Sequence, residues 1–160
     1  MTDLHDFHAN LELQHIYLEA YAERYHFLRQ FFESYYCYRH HLVTRSGKAD
    51  WEQIFEHSLR SKAARPVGNR KLLVRELRLP LSVVTGKLKV LVRDDELSID
   101  SLKQLLDEHL DYVILTRDEL KKLKSAGLDE RMPAEYYQQS SGDYENADVR
   151  FRAVGIEFAS

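Results

Sequence analysis

From Leu4 to Leu42 the chain repeats large apolar or aromatic residues at alternating steps of three and four. They are Leu4, Phe7, Leu11, Leu18, Tyr21, Tyr25, Leu28, Phe32, Tyr35 and Leu42, with Gln14 and Arg39 as the exceptions. The residue that follows each step is mostly polar: His5, His8, Glu12, His15, Glu19, His26, Arg29, Glu33 and His40. An apolar stripe beside a polar one at this period predicts an amphipathic helix. No Gly or Pro precedes Gly47, so the pattern predicts one uninterrupted element, capped by Thr2 or Asp3 and running to about Val43. At 1.5 Å per residue it would be about 60 Å long, whereas a compact domain of this size is roughly 40 Å across. A helix that outruns its own domain must either break or project and pair with something. The sequence gives no obvious break signal, so the uninterrupted, pairing helix is the expectation. The central residues Leu18, Tyr21, Tyr25, Leu28, Phe32 and Tyr35 are therefore the expected interface, and a homodimer the expected assembly.

Ser46 and Gly47 close this element. Asp50 then precedes Trp51, Ile54, Phe55 and Leu59, a shorter amphipathic helix reaching about Ala64. Pro66, Gly68 and Asn69 read as a linker. The expected organisation is a helical assembly region over 1–65 and a small α+β domain over 66–160. Within the second part, Leu88, Val90 and Val92 alternate with Lys87, Lys89 and Arg93, the period of a half-buried strand, with Thr85 and Gly86 as the turn before it. Ser98 or Asp100 caps a helix that turns Leu102, Leu105, Leu106 and Leu110 inward. Tyr112 to Leu115 is a continuous apolar run and predicts a buried strand. Thr116 and Glu119 form a capping-box pattern for a further helix, which Gly127 ends. Residues 129–147 are polar and irregular, and a last strand is expected from Val149 to Phe158. The fold class is α+β: a long N-terminal aromatic helix and a short helix, then a small mixed sheet with two helices.

Composition narrows this picture. An apolar fraction of 44% with a net charge of only −3 excludes a wholly disordered chain. The single cysteine, Cys37, allows no intrachain disulfide and fits a reducing compartment. The acidic start, Asp3 and Asp6, lacks the apolar core of a signal peptide. No apolar run approaches the ~18 residues of a membrane span. A soluble cytoplasmic protein with no membrane association is the expectation.

Charge is unevenly placed. Residues 1–59 carry five Lys/Arg against nine Asp/Glu. Residues 60–93 carry ten basic side chains against Glu76 alone, and residues 94–160 carry eight against sixteen. A basic middle between acidic ends either packs beside them so that the charges cancel internally, the reading ranked first, or offers phosphate contacts. For the second, Arg70, Lys71, Arg75, Arg78, Lys87 and Lys89 are the candidate nucleic-acid-binding residues. The aromatic residues that would stack on single-stranded bases lie mostly in the acidic first element, so the two halves of such a site are separated along the chain.

Other chemistry is sparse. Glu12-x-x-His15 and Glu23-x-x-His26 repeat a metal-ligating spacing on the same expected helix face. One helix cannot close a site around itself, so this set requires a partner helix. Cys37-x-x-His40 supplies too few ligands for structural zinc. No Gly-x-Ser-x-Gly elbow, Walker pattern or Gly-x-Gly-x-x-Gly occurs, and no cofactor is expected. The sequence thus reads as a non-enzymatic interaction or regulatory protein that self-assembles through its first helix, with a protein partner for the domain that follows. A nucleic-acid binder ranks second, and a metalloenzyme built at a helical dimer interface third.

Overall fold

In the computed structural model, which describes residues 3–158, the chain is α+β: helices dominate and one three-stranded mixed sheet is present. The chain folds into two compact units, Met1–Glu56 with Val84–Leu110, and His57–Val83 with Asp111–Ser160. The expected linker at Pro66 lies within the second of these.

The first unit starts with a helical hairpin rather than one long helix. α1 spans Leu4–Tyr21 and α2 spans Leu28–Arg39, separated by a turn and a 3-10 segment, Tyr25–Phe27. Asp3 caps α1 by accepting from the His5 N–H, while Thr2, the alternative cap, lies outside the described residues. The uninterrupted helix breaks at Glu23, whose φ is +58°. Its N–H donates to Ala20 O at 2.9 Å, and the Arg24 N–H donates to Glu19 O at 2.8 Å. This is a Schellman closure, normally built around glycine. The ring contacts His5 with His41, His8 with Tyr38, and His15 with Phe31 run in opposite sequence directions, so the helices are antiparallel.

α1 packs on α2; α1 buries Ala9, Leu13, Ile16 and Ala20, and α2 buries Leu28, Phe32, Tyr35, Tyr36 and Cys37. The expected second helix is reduced to a 3-10 turn, Trp51–Gln53, and one α-helical turn, α3, Ile54–His57. The expected strand over 87–93 is helical instead. It belongs to α4, Leu81–Arg93, with Thr85 and Gly86 inside the helix. The physical reason is visible in the burial: Val84 and Leu88, one turn apart, are fully buried, while Val90 is exposed. The alternation that suggested a strand therefore crosses from the buried face of a helix at Leu88 to its exposed face at Val90. α5, Ile99–His109, is capped by Ser98 in a reciprocal capping box with Ser101, and packs against α1.

The second unit holds the sheet, in the order β1-β3-β2, with β1 Leu59–Arg60, β2 Leu73–Leu77 and β3 Tyr112–Thr116. β3 is the central strand and its apolar residues Tyr112 to Leu115 are all buried. It pairs parallel with β1 (Leu59 with Val113) and antiparallel with β2 (Leu73 with Thr116). α6, Arg117–Ser125, begins with the expected box and closes at Gly127, whose φ is +70°. The expected final strand forms instead α7, Val149–Ala153, and a turn at Gly155; only Phe158 makes a bridge, to Ser61. Val113, Leu115, Leu123, Phe151 and Ile156 form the core of this unit.

Glu119 does more here than cap α6. Its Oε1 accepts from the Thr116 N–H at 2.9 Å and from the buried Ser61 hydroxyl at 2.6 Å, tying the helix start to the end of β1. Glu119→Ala removes both and leaves the Ser61 hydroxyl without its acceptor. Urea denaturation should show a stability loss of about 1–3 kcal/mol.

Candidate interaction surface

α1 is apolar on two faces. Ala9, Leu13, Ile16 and Ala20 recur at steps of four, three and four and are buried. Leu4, Phe7, Leu11, Leu18 and Tyr21 recur at the alternating period noted above and stay exposed; Phe7 is 56%, Leu18 63% and Tyr21 72% accessible. At about 100° per residue the two stripes lie on roughly opposite sides of the helix. Between them runs a ridge of His8, Glu12, His15 and Glu19. Glu12 and His15 sit 3.5 Å apart, and Arg24 returns to Glu19 at 3.1 Å. Partial burial raises the Glu12 pKa, and the nearby His15 opposes that rise.

The expected interface residues are divided between interior and surface. Leu28, Phe32 and Tyr35 are buried within the first unit, Tyr25 is half-buried, and Leu18 and Tyr21 face outward. Leu4, Phe7 and Leu11 belong to the same exposed stripe. The signal separating the two stripes is present in the sequence as the alanine-bearing repeat Ala9, Leu13, Ile16, Ala20, which the larger side chains overshadow.

The paired Glu-x-x-His motifs do not share a helix. Glu12 and His15 lie on α1, Glu23 occupies the turn, and His26 lies tilted against Phe27 in the 3-10 segment. Among the described residues no three His, Cys, Asp or Glu side chains gather in an arrangement able to hold a metal. The candidate nucleic-acid residues fall in both units. Arg70, Lys71, Arg75 and Arg78 belong to the second, where Arg78 pairs with Asp111 at 3.4 Å and Asp148 at 3.0 Å. Lys87 and Lys89 lie on α4 in the first.

Hollows open among the described residues of the first unit. A small one of about 110 Å³ is lined by Tyr35, Arg39, Asp107 and Leu110. There the Tyr35 hydroxyl donates to Asp107 Oδ1 at 2.6 Å and Arg39 Nε approaches the same oxygen at 3.4 Å. Burial, reinforced by Asp107, pushes the Tyr35 phenol far above its ordinary range, which makes it a fixed donor between α2 and α5 rather than a proton-transfer group. The larger hollow is an open groove of about 450 Å³ between the Glu23–Tyr25 turn and one face of α4. Lys89 Nζ lies 5.0 Å above the Tyr25 ring there.

Among the described residues no helix is long and apolar enough to cross a membrane. No protein-family model, curated protein or solved structure matches the chain.

Proposed function

We propose that this is a non-enzymatic interaction protein whose α1 helix pairs with α1 of a second copy. One observation carries the reading: α1 has two opposite apolar faces, and its own chain covers one of them. A helix apolar on most sides is a helix buried on most sides. The exposed stripe suits a two-fold antiparallel pairing. Leu4 of one copy then meets Tyr21 of the other, Phe7 meets Leu18, and Leu11 and Gln14 flank the axis. That orientation opposes the helix dipoles and keeps the acidic starts, Asp3 and Asp6, apart. The five exposed side chains offer roughly 600 Å² per copy, so the pair would bury about 1,200 Å², the lower end of stable interfaces. A dissociation constant in the micromolar range is the expected result, set by packing as well as by area.

Sedimentation equilibrium tests this directly. The wild type should dimerise in the micromolar range, and Phe7→Glu with Leu18→Glu should be monomeric at about 100 micromolar. Its melting temperature at low concentration should stay close to the wild-type monomer's, because both side chains point away from the interior. A wild type that is monomeric at about 100 micromolar sinks the reading.

A further inference from the structure

Gly86 lies inside α4, where glycine is among the poorest helix formers. Among the described residues nothing requires it. Its backbone is ordinarily helical, and a β-carbon built there meets nothing within 4 Å. The space above it is the open groove. Gly86, Lys89, Val90 and Arg93 line that groove at i, i+3, i+4 and i+7, one face of α4. Tyr25 forms the facing wall.

The groove brings together what the linear sequence keeps apart, a stacking surface from the acidic first segment and cations from the basic middle. Among the described residues Lys89 has no carboxylate partner, and it rests over the Tyr25 ring. Arg93 engages Asp94 through Nε and Nη2, which leaves Nη1. Glu23 is the one carboxylate on the lining, against these two cations. Exposed Val90 adds an apolar edge beside the bare backbone of Gly86. A flat ring can approach a helix closely only where a side chain is missing.

We infer that this groove binds a nucleotide unit. The base lies against Tyr25 and Val90 over Gly86, and the phosphate is held by Lys89 and Arg93. Lys89 suits this exchange, since its flexible stem lets the ammonium leave the Tyr25 ring for the phosphate as the base arrives. Base stacking on an aromatic side chain next to cationic phosphate contacts is sequence-tolerant. The ligand is thus either a free nucleotide or one unit of a single strand.

Fluorescence anisotropy of the full chain at low salt, with a labelled oligothymidylate as probe, tests the site. Adenosine monophosphate, adenosine and inorganic phosphate serve as competitors. Saturable binding is expected, weakened at least about tenfold by Lys89→Glu and by Tyr25→Leu. Lys89 is exposed, so its variant should melt like the wild type. Gly86→Ala should raise the melting temperature, because alanine favours the helix, and weaken binding, because its methyl group occupies the groove floor. Opposite signs from one methyl group separate a ligand site from a merely structural position. Competition by the monophosphate, and poorly by adenosine, assigns a free nucleotide; competition by unlabelled strands alone assigns the single strand. Either supports the inference. No saturable binding of strand or monophosphate, binding unmoved by Lys89→Glu and Tyr25→Leu, or inorganic phosphate competing as well as the monophosphate overturns it.

Discussion

Arg150→Met should destabilise the second unit by about 3–5 kcal/mol, a large share of a domain's total stability. Arg150 is fully buried. Its Nη1 donates to Leu128 O at 2.8 Å and Asp129 O at 3.2 Å. Its Nη2 donates to Leu77 O and, at 3.5 Å, to Arg78 O. Glu76 stands 3.7 Å away and supplies the counter-charge. Burial pulls the guanidinium pKa down, and Glu76 pulls it back up. Replacing a buried ion pair by apolar residues is often harmless when both partners can be replaced. Here the partners include backbone carbonyls from two segments, 77–78 and 128–129, which no side-chain change removes. Methionine fills much of the volume and leaves these acceptors dry, each at the desolvation cost of an unpaired buried group. Arg150→Lys should lose nearly as much, because a single ammonium lacks the fork that spans both segments. Guanidinium chloride denaturation gives the answer through the midpoint, and a loss below about 1 kcal/mol is incompatible with this account.

Leu28→Asp with Phe32→Asp should abolish the cooperative unfolding of the first unit, whatever the state of assembly. Both side chains are 1% accessible on α2, so each substitution creates a cavity and buries an unpaired carboxylate. The combined cost, on the order of 5–8 kcal/mol, matches the whole stability of many small domains. Far-ultraviolet circular dichroism should show the helical signal falling without a melting transition. Phe7→Glu with Leu18→Glu sits on the same heptad-like register and should leave that signal intact. The two double variants therefore report which apolar stripe is inside. A folded, merely monomeric Leu28→Asp, Phe32→Asp protein would mean that α2 carries the interface.

The part of the fold that could be read from sequence is the part written in local chemistry. Ser98, the Thr116–Glu119 box and Gly127 are caps and stops with fixed geometric meaning, and the elements they bound, α5, β3 and α6, form as expected. Of the elements that form otherwise than expected, α1, α2 and α4 lack that punctuation, while α7 carries it at Gly155. α1, α2 and α4 all end in Schellman closures, but the left-handed positions are Glu23, His41 and Asp95, with φ of 58°, 59° and 56°. Each reads as an ordinary helical residue, and tertiary packing must supply the strain energy that a glycine would have avoided. α4 was hidden by an accident of its exposed face, where Val90 and Val92 interleave with Lys89 and Arg93. On α1 the larger side chains make the outer stripe conspicuous, while the buried stripe includes the small Ala9 and Ala20. The groove had no linear signature, since Tyr25 and Lys89 meet only once α4 is placed in the first unit. Gly86 had a signature of another kind, a helix breaker in a segment taken for a turn and strand.

The interleaved order of the two units sets a timetable for synthesis. The α1–α2 hairpin leaves the ribosome before the whole of the second unit's first segment, and α5, which packs against α1, follows it by about 60 residues. At ordinary elongation rates that gap lasts roughly 3–12 seconds, while a hairpin closes in far less than a millisecond. For that interval nascent chains on one messenger carry a formed helix whose outer stripe is already available and whose remaining packing is not. Under the α1 pairing proposed above, association of neighbouring nascent chains precedes completion of either fold, and slowing translation downstream of α2 should raise the yield of dimer relative to that of misassembled chain.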